Sequence, residues 1–133
     1  MMFKFLVLAV FINAIAARER LNPHECLGHN ENLESPNGCF KLSMQHDGNL
    51  VLYRKKNNEA LWHSGTPRSC TNRACMQGDG NFVTYDCHNI ATWNSGTVNN
   101  EGASLRVQDD GNVVIYAWNS NRAIWASGSQ TGC

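Results

Sequence analysis

The sequence predicts an all-β protein assembled from three copies of one short antiparallel unit. Turn formers are plentiful: 11 Gly and many Asn stand against 3 Pro in 133 residues, a balance that favours short strands joined by tight turns over a helical bundle. Apolar and polar residues alternate with period two, so that one face of each strand is made for a core. One polar pattern, carried on those strands, recurs three times along the chain.

The first element is a leader. Residues 1–17 carry one cation, Lys4, an apolar run at 5–12, and small residues Ala14, Ala16 and Ala17 ahead of Arg18-Glu19-Arg20. That order reads as a secretory signal peptide cleaved after Ala16 or Ala17. The apolar run is well short of the roughly 20 residues that cross a bilayer, which argues against a membrane anchor. Residues 18–133 then form one secreted, extracellular domain. Eleven Lys+Arg against eleven Asp+Glu give no net charge, hence no basic field to gather nucleic acid.

All six cysteines, Cys26, Cys39, Cys70, Cys75, Cys87 and Cys133, follow the leader. An even count in a secreted chain reads as three disulfides. A zinc site from Cys70, Cys75, Cys87 and His88 is the alternative, but adjacent Cys87 and His88 are poorly placed to present both ligands to one tetrahedral ion. The five His, at 24, 29, 46, 63 and 88, share no repeat position and are expected on the surface. No Asn-x-Ser/Thr acceptor follows the leader, so sugar chemistry here concerns a ligand rather than a modification.

The three copies align without a gap at 44–53, 76–85 and 107–116. Each reads Gln-x-Asp-Gly-Asn-x-Val-x-Tyr, and each is followed by a Trp-x-Ser-Gly marker at Trp62, Trp93 and Trp125. The Gln step is 32 and then 31 residues, the Trp step 31 and then 32. One parity carries Leu42, Met44, Leu50 and Leu52, then Ala74, Met76, Phe82 and Thr84, then Leu105, Val107, Val113 and Ile115, and this parity is expected in the core. Asp-Gly-Asn at the middle of each unit predicts a hairpin turning at Gly48, Gly80 and Gly111. Three or four short strands cannot bury a face alone, so the copies must share one core. The three marker Trp are expected to meet at its centre. Trp118 has no counterpart in the other copies and is expected to extend a binding surface or cover an edge.

The other parity carries Gln, Asp, Asn, Val and Tyr in every copy. A solvent face needs polarity, but not the same residues in the same order, and the neighbouring slot drifts through His46, Gly78 and Asp109. The constellation suits a neutral sugar: a carboxylate accepts from hydroxyls, amides donate and accept, and a phenol completes the set. The Val side chains offer an apolar contact for the C–H face of a ring. One carboxylate per motif is too few for calcium, which takes six to eight oxygens, so the sites are expected to need no metal and no cofactor.

The run Gln-x-Asp-x-Asn-x-Val-x-Tyr in triplicate resembles the sugar-binding signature of the bulb-type (monocot) mannose-specific lectins, the B-lectin family, over residues 27–128. The resemblance implies a β-prism II fold, three four-stranded antiparallel sheets about a pseudo-threefold axis. It also implies up to three sites for mannose or mannose-rich glycans and glycoproteins. By that analogy Gln45, Asp47, Asn49, Val51 and Tyr53 form one site. Gln77, Asp79, Asn81, Val83 and Tyr85 form the second, and Gln108, Asp110, Asn112, Val114 and Tyr116 the third. Plant members carry a cysteine in the first turn where this chain has Gly48, so its bridges differ. Cys75 and Cys87 stand symmetrically about the second hairpin, as Gln77 and Tyr85 do, and are expected to pair; Cys39 and Cys70, at comparable points before their hairpins, join each other or pair elsewhere, and Cys133 has Cys26 or a second chain as partner. Family members often dimerise by exchanging C-terminal strands, which makes 123–127 a candidate for exchange in a homodimer, and defence against microbes is a frequent role.

Two other classes compete. A protein-binding module of receptor or inhibitor type could use the same prism with its sugar sites silent. A glycosidase needs two carboxylates flanking one bond, and only Asp109 beside Asp110 offers a pair, on opposite faces of a strand; the chain is read as no enzyme. A β-trefoil also has threefold symmetry, but its longer units carry a different marker.

Overall fold

The computed structural model describes residues 17–133; apart from residue 17, the leader lies outside the described residues. Twelve strands follow: β1 (Arg20–Leu21), β2 (Glu25–Leu27), β3 (Asn32–Glu34), β4 (Phe40–Met44), β5 (Leu50–Arg54), β6 (Glu59–His63), β7 (Thr71–Met76), β8 (Phe82–Asp86), β9 (Ala91–Asn94), β10 (Ser104–Val107), β11 (Val113–Tyr116) and β12 (Ala123–Ala126). They form three four-stranded antiparallel sheets, ordered β3-β4-β5-β6, β2-β7-β8-β9 and β1-β10-β11-β12. The all-β, three-sheet expectation is met.

Each repeat supplies three strands of its sheet, and the fourth comes from the segment at 20–34. This segment runs past all three sheets in turn and leaves one leucine in each. Leu21 pairs with Leu105, Leu27 with Ala74 and Leu33 with Leu42, and all three leucines are fully buried. Their spacing of six residues is the only sequence trace of this closure, and strands of two or three residues are too short to show alternation. Each leucine contributes about 1.5–3 kcal/mol by leaving water.

The period-two alternation delivers the expected core. All twelve residues of the apolar parity are at most 1 % exposed. The weaker second copy is completed by polar pairing: the hydroxyls of Thr71 and Thr84 each meet that of Thr92 at 2.9 Å, so buried Thr84 leaves no orphaned hydroxyl. Trp62, Trp93 and Trp125 pack edge to face with ring centroids 5.3, 5.6 and 5.7 Å apart, at the meeting point expected for them. Such aromatic pairs add about 0.5–1.5 kcal/mol each beyond area burial.

A bulge places these rings. In every sheet the register slips just before the motif Tyr, between Leu52 and Tyr53, Thr84 and Tyr85, and Ile115 and Tyr116. The extra residue lies on the edge strand, at Leu61, Thr92 and Ile124. Two consecutive residues can then face inward, and Leu61 with Trp62, like Ile124 with Trp125, packs against the core.

The disulfides are Cys26–Cys75, Cys39–Cys133 and Cys70–Cys87. The expected Cys75–Cys87 bridge is not formed, and register is the reason. Cys75 lies opposite Val83 on one side and opposite Cys26 of β2 on the other, with the Cys26 and Cys75 Cα atoms 4.0 Å apart. A register shift between Thr71 and Arg73 sets Thr71 against Asp86, so the next pair outward is Cys70 with Cys87. The symmetry of Gln77 and Tyr85, from which the other pairing was expected, is a diagonal side-chain contact and not a register pair. Cys133 bonds Cys39 of its own chain, and the six cysteines leave no free thiol.

Candidate functional site

Each motif is built on a five-residue turn. In the first copy the Gln45 carbonyl accepts the Gly48 N–H at 3.1 Å and the Gln45 N–H donates to the Asn49 carbonyl at 3.0 Å. The other copies repeat both bonds, from Gln77 and from Gln108. A tight turn closed by a left-handed residue explains the invariant glycine: Gly48, Gly80 and Gly111 have φ of 90°, 90° and 85°, where a side chain is disfavoured.

The acidic residue of each motif folds back on the turn. One carboxylate oxygen of Asp47, Asp79 and Asp110 accepts the N–H of Asn49, Asn81 and Asn112 at 2.9, 2.9 and 3.0 Å. The second oxygen has no protein partner among the described residues.

The asparagine is held by the downstream marker. Asn49 Oδ1 accepts from Ser64 Oγ, Gly65 N and Thr66 N at 3.2, 3.1 and 3.1 Å. Asn112 Oδ1 accepts from Ser127 Oγ, Gly128 N and Ser129 N at 3.0, 3.0 and 3.4 Å. Asn81 Oδ1 accepts from Ser95 Oγ and Thr97 N, both at 3.2 Å. The next hydroxyl, Thr66, Thr97 or Ser129, donates to the carbonyl of the turn glycine at 2.6, 2.5 and 2.8 Å. This interlock is why two sequence markers travel in step. The Ser and Thr positions were missed as part of the site, although their recurrence was visible. With each Oδ1 committed, each Asn keeps its Nδ2 as a donor with no protein acceptor among the described residues.

The Gln and Tyr of each motif share a side, as expected: Gln45, Gln77 and Gln108 donate from Nε2 to the hydroxyls of Tyr53, Tyr85 and Tyr116. The phenol proton and the Gln Oε1 remain for a ligand. A cation covers each ring, Lys41 at 5.7 Å, Arg73 at 4.8 Å and Arg106 at 5.5 Å from the centroids. Sequence reasoning did not single out these cations, because the third comes from a different repeat position. Val51, Val83 and Val114 are only 3 % exposed. Cross-strand neighbours cover them, such as Ser43 and His63 beside Val51, so they form a floor rather than an open apolar wall.

Around the motifs lie shallow clefts. One of about 440 Å³ is lined by Gln45, Tyr53, Lys41 and the neighbouring strand's Asn32; one of about 600 Å³ includes Gln77, Asp79 and His24; and one of about 420 Å³ includes Gln108 and Asp110. All five His are exposed. Asp109, the acidic sequence neighbour of Asp110, is engaged by the Asn37 N–H at 2.8 Å. Cys70, Cys87 and His88 cluster within 4.8 Å, but both sulfurs belong to one disulfide. Outside the motifs, Asp86 is held below the usual carboxylate range, chiefly by the N–H of Ile90 and against some desolvation, with help from His88 and Arg73.

Each site thus offers two acceptors, Gln Oε1 and the second Asp oxygen, and two donors, Asn Nδ2 and the Tyr hydroxyl, over an apolar floor. That set is complementary to an uncharged polyol.

No protein-family model matches the chain. Among solved structures it is similar to a monomeric monocot mannose-binding lectin from Gastrodia elata, at 45 % identity and a TM-score of 0.76, over 85 % of this chain and 99 % of that one. It is also similar to the mannose-specific agglutinin of snowdrop (Galanthus nivalis) complexed with methyl-α-D-mannoside, at 36 % identity and a TM-score of 0.68, over 86 % and 99 %. A B-type lectin, plumieribetin, from Scorpaena plumieri is 39 % identical over 66 residues, 50 % of this chain and 56 % of that protein. The chain spans about half the length of the curated relatives it matches. Motif, prism and end-to-end similarity agree, and the chain belongs to the bulb-type, monocot mannose-binding lectin family.

Proposed function

We propose that this chain is a secreted, non-catalytic lectin that binds mannose and mannose-rich glycans through three metal-independent sites. The observation that carries the reading is the threefold recurrence of one donor and acceptor set, held in one geometry by the Asn–Ser–Gly interlock. The contributors to the sites are Gln45, Asp47, Asn49, Val51 and Tyr53; Gln77, Asp79, Asn81, Val83 and Tyr85; and Gln108, Asp110, Asn112, Val114 and Tyr116. Metal independence follows from the donor set, since each motif has one uncommitted carboxylate oxygen and calcium takes several. Residues 1–17 act as the cleaved leader and residues 18–133 as the mature domain, in keeping with three disulfides. No helix among the described residues is long and apolar enough to cross a membrane.

Titration of the mature protein with methyl α-mannoside, followed by calorimetry or by NMR shifts of the three motifs, is expected to show three sites. Each shallow site should bind on the order of millimolar, and excess EDTA should leave the isotherm unchanged. Absence of mannoside binding would favour a protein-binding module on the same prism.

Multivalency within one chain needs no partner. β12 pairs with its own β11, the tail is tied to the first repeat by Cys39–Cys133, and Arg54 donates to Thr131 at 2.7 Å. Light scattering under non-reducing conditions is therefore expected to give the mass of one chain. The mass of two would indicate exchange of the 123–127 strand, the route to a homodimer.

A further inference from the structure

We propose that the third repeat carries an extended subsite in which Trp118 stacks against a second, neutral pyranose ring joined to the one held by Gln108, Asp110, Asn112 and Tyr116. This rests on the mannose reading above and deepens it at one site. Trp118 is 71 % exposed, more than any other large hydrophobic residue described. In the other repeats the second position after the motif Tyr is committed elsewhere. Lys55 bridges Glu34 at 3.1 Å, and Cys87 is bonded to Cys70. Trp118 has neither kind of tie.

Its indole is nevertheless placed. A Cβ at Gly102 would lie 2.9 Å from Cγ and Cδ1 of the ring, and Gly102 has φ of +81°. The ring therefore lies directly on a stretch of backbone that only glycine accommodates. The third repeat is also opened by a substitution in its own pattern: Ser104 stands where Lys41 and Arg73 reach over Tyr53 and Tyr85, and Arg106 supplies the cation from two residues further on. A cleft of about 640 Å³ results, with Tyr116 of the third motif and Trp118 both in its wall.

The lining selects the occupant. Asn22, Asn119 and Asn121 bring amides, and Ser104 and Ser120 bring hydroxyls, with no carboxylate among the lining residues. The one charge, Arg106, sits over the Tyr116 ring. A pyranose fits this arrangement, since its C–H face can lie on the indole while its hydroxyl edge meets amides and hydroxyls. A single indole ringed by polar groups is too small an apolar patch for a protein partner.

The test is calorimetry on the intact, disulfide-bonded protein with methyl α-mannoside and with α-linked mannobioses, for wild type, Trp118→Ala, Trp118→Phe and Asp110→Ala. In the wild type one site of three is expected to prefer a mannobiose by about three- to tenfold, the worth of one aromatic contact. Trp118→Ala should erase that preference and leave methyl mannoside binding at three sites, Trp118→Phe should keep part of it, and Asp110→Ala should remove it with its site. A wild type without the preference, or a preference that survives Trp118→Ala, overturns the subsite while the mannose reading stands. A wild type that binds no methyl mannoside overturns both.

Discussion

Combining Asp47→Ala, Asp79→Ala and Asp110→Ala is expected to abolish retention on a mannan-coated surface, whereas each single variant removes one site of three from the methyl mannoside titration. The difference arises because one shallow site is weak, and retention depends on simultaneous engagement, which raises avidity by roughly 10² to 10⁴. The carboxylates are exposed, and only one oxygen of each is used by the turn. Stability should therefore fall by no more than about 1 kcal/mol per site, the worth of one hydrogen bond. Replacing the same residues by Asn keeps that turn bond and removes the ligand acceptor, so the triple Asn variant should also fail on the surface while melting like the wild type. Surface plasmon resonance on mannan checks the outcome, and a triple variant that still binds would show that the carboxylates are not the ligands.

Asn112→Ala is expected to act differently, costing about 2–4 kcal/mol of folding stability together with loss of the third site. Asn112 is only 7 % exposed, and its Oδ1 receives the Ser127 hydroxyl and the Gly128 and Ser129 N–H groups. Removing a buried acceptor strands its donors, at about 1–3 kcal/mol for each one left unpaired, and adjacent water limits the total. Urea denaturation of Asn112→Ala beside Asp110→Ala separates the two roles. Equal and small losses in both would mean that the asparagine does not lock the marker to the turn. The comparison matters because it divides one motif into a residue that binds and a residue that binds and braces.

How much was legible followed from the range of each interaction. The turn glycines, the buried parity and the site residues are encoded within nine or ten consecutive positions, and repetition multiplied that signal by three. Ala60, Ala91 and Ala123, each two residues before a marker Trp and each opposite a motif Tyr, were equally regular and went unread, because their meaning depends on a bulge that alternation cannot express. Strand parity puts the valines on the same face as the polar set, but their near-complete coverage depends on the strands on either side.

The chain's own letters determined the three hairpins, the shared apolar core, the meeting of the tryptophans and the polar set repeated at each turn, since period-two patterning and turn chemistry are local. Only the tertiary structure decided the pairing of the cysteines, the borrowing of a fourth strand for each sheet from residues 20–34, and the opening beside Tyr116 where Trp118 lies. Those features depend on register shifts of a single residue and on contacts between segments as far apart as Cys39 and Cys133. No local pattern records which distant strand will lie alongside, because that choice is made by how three leucines and three indoles fill one common interior.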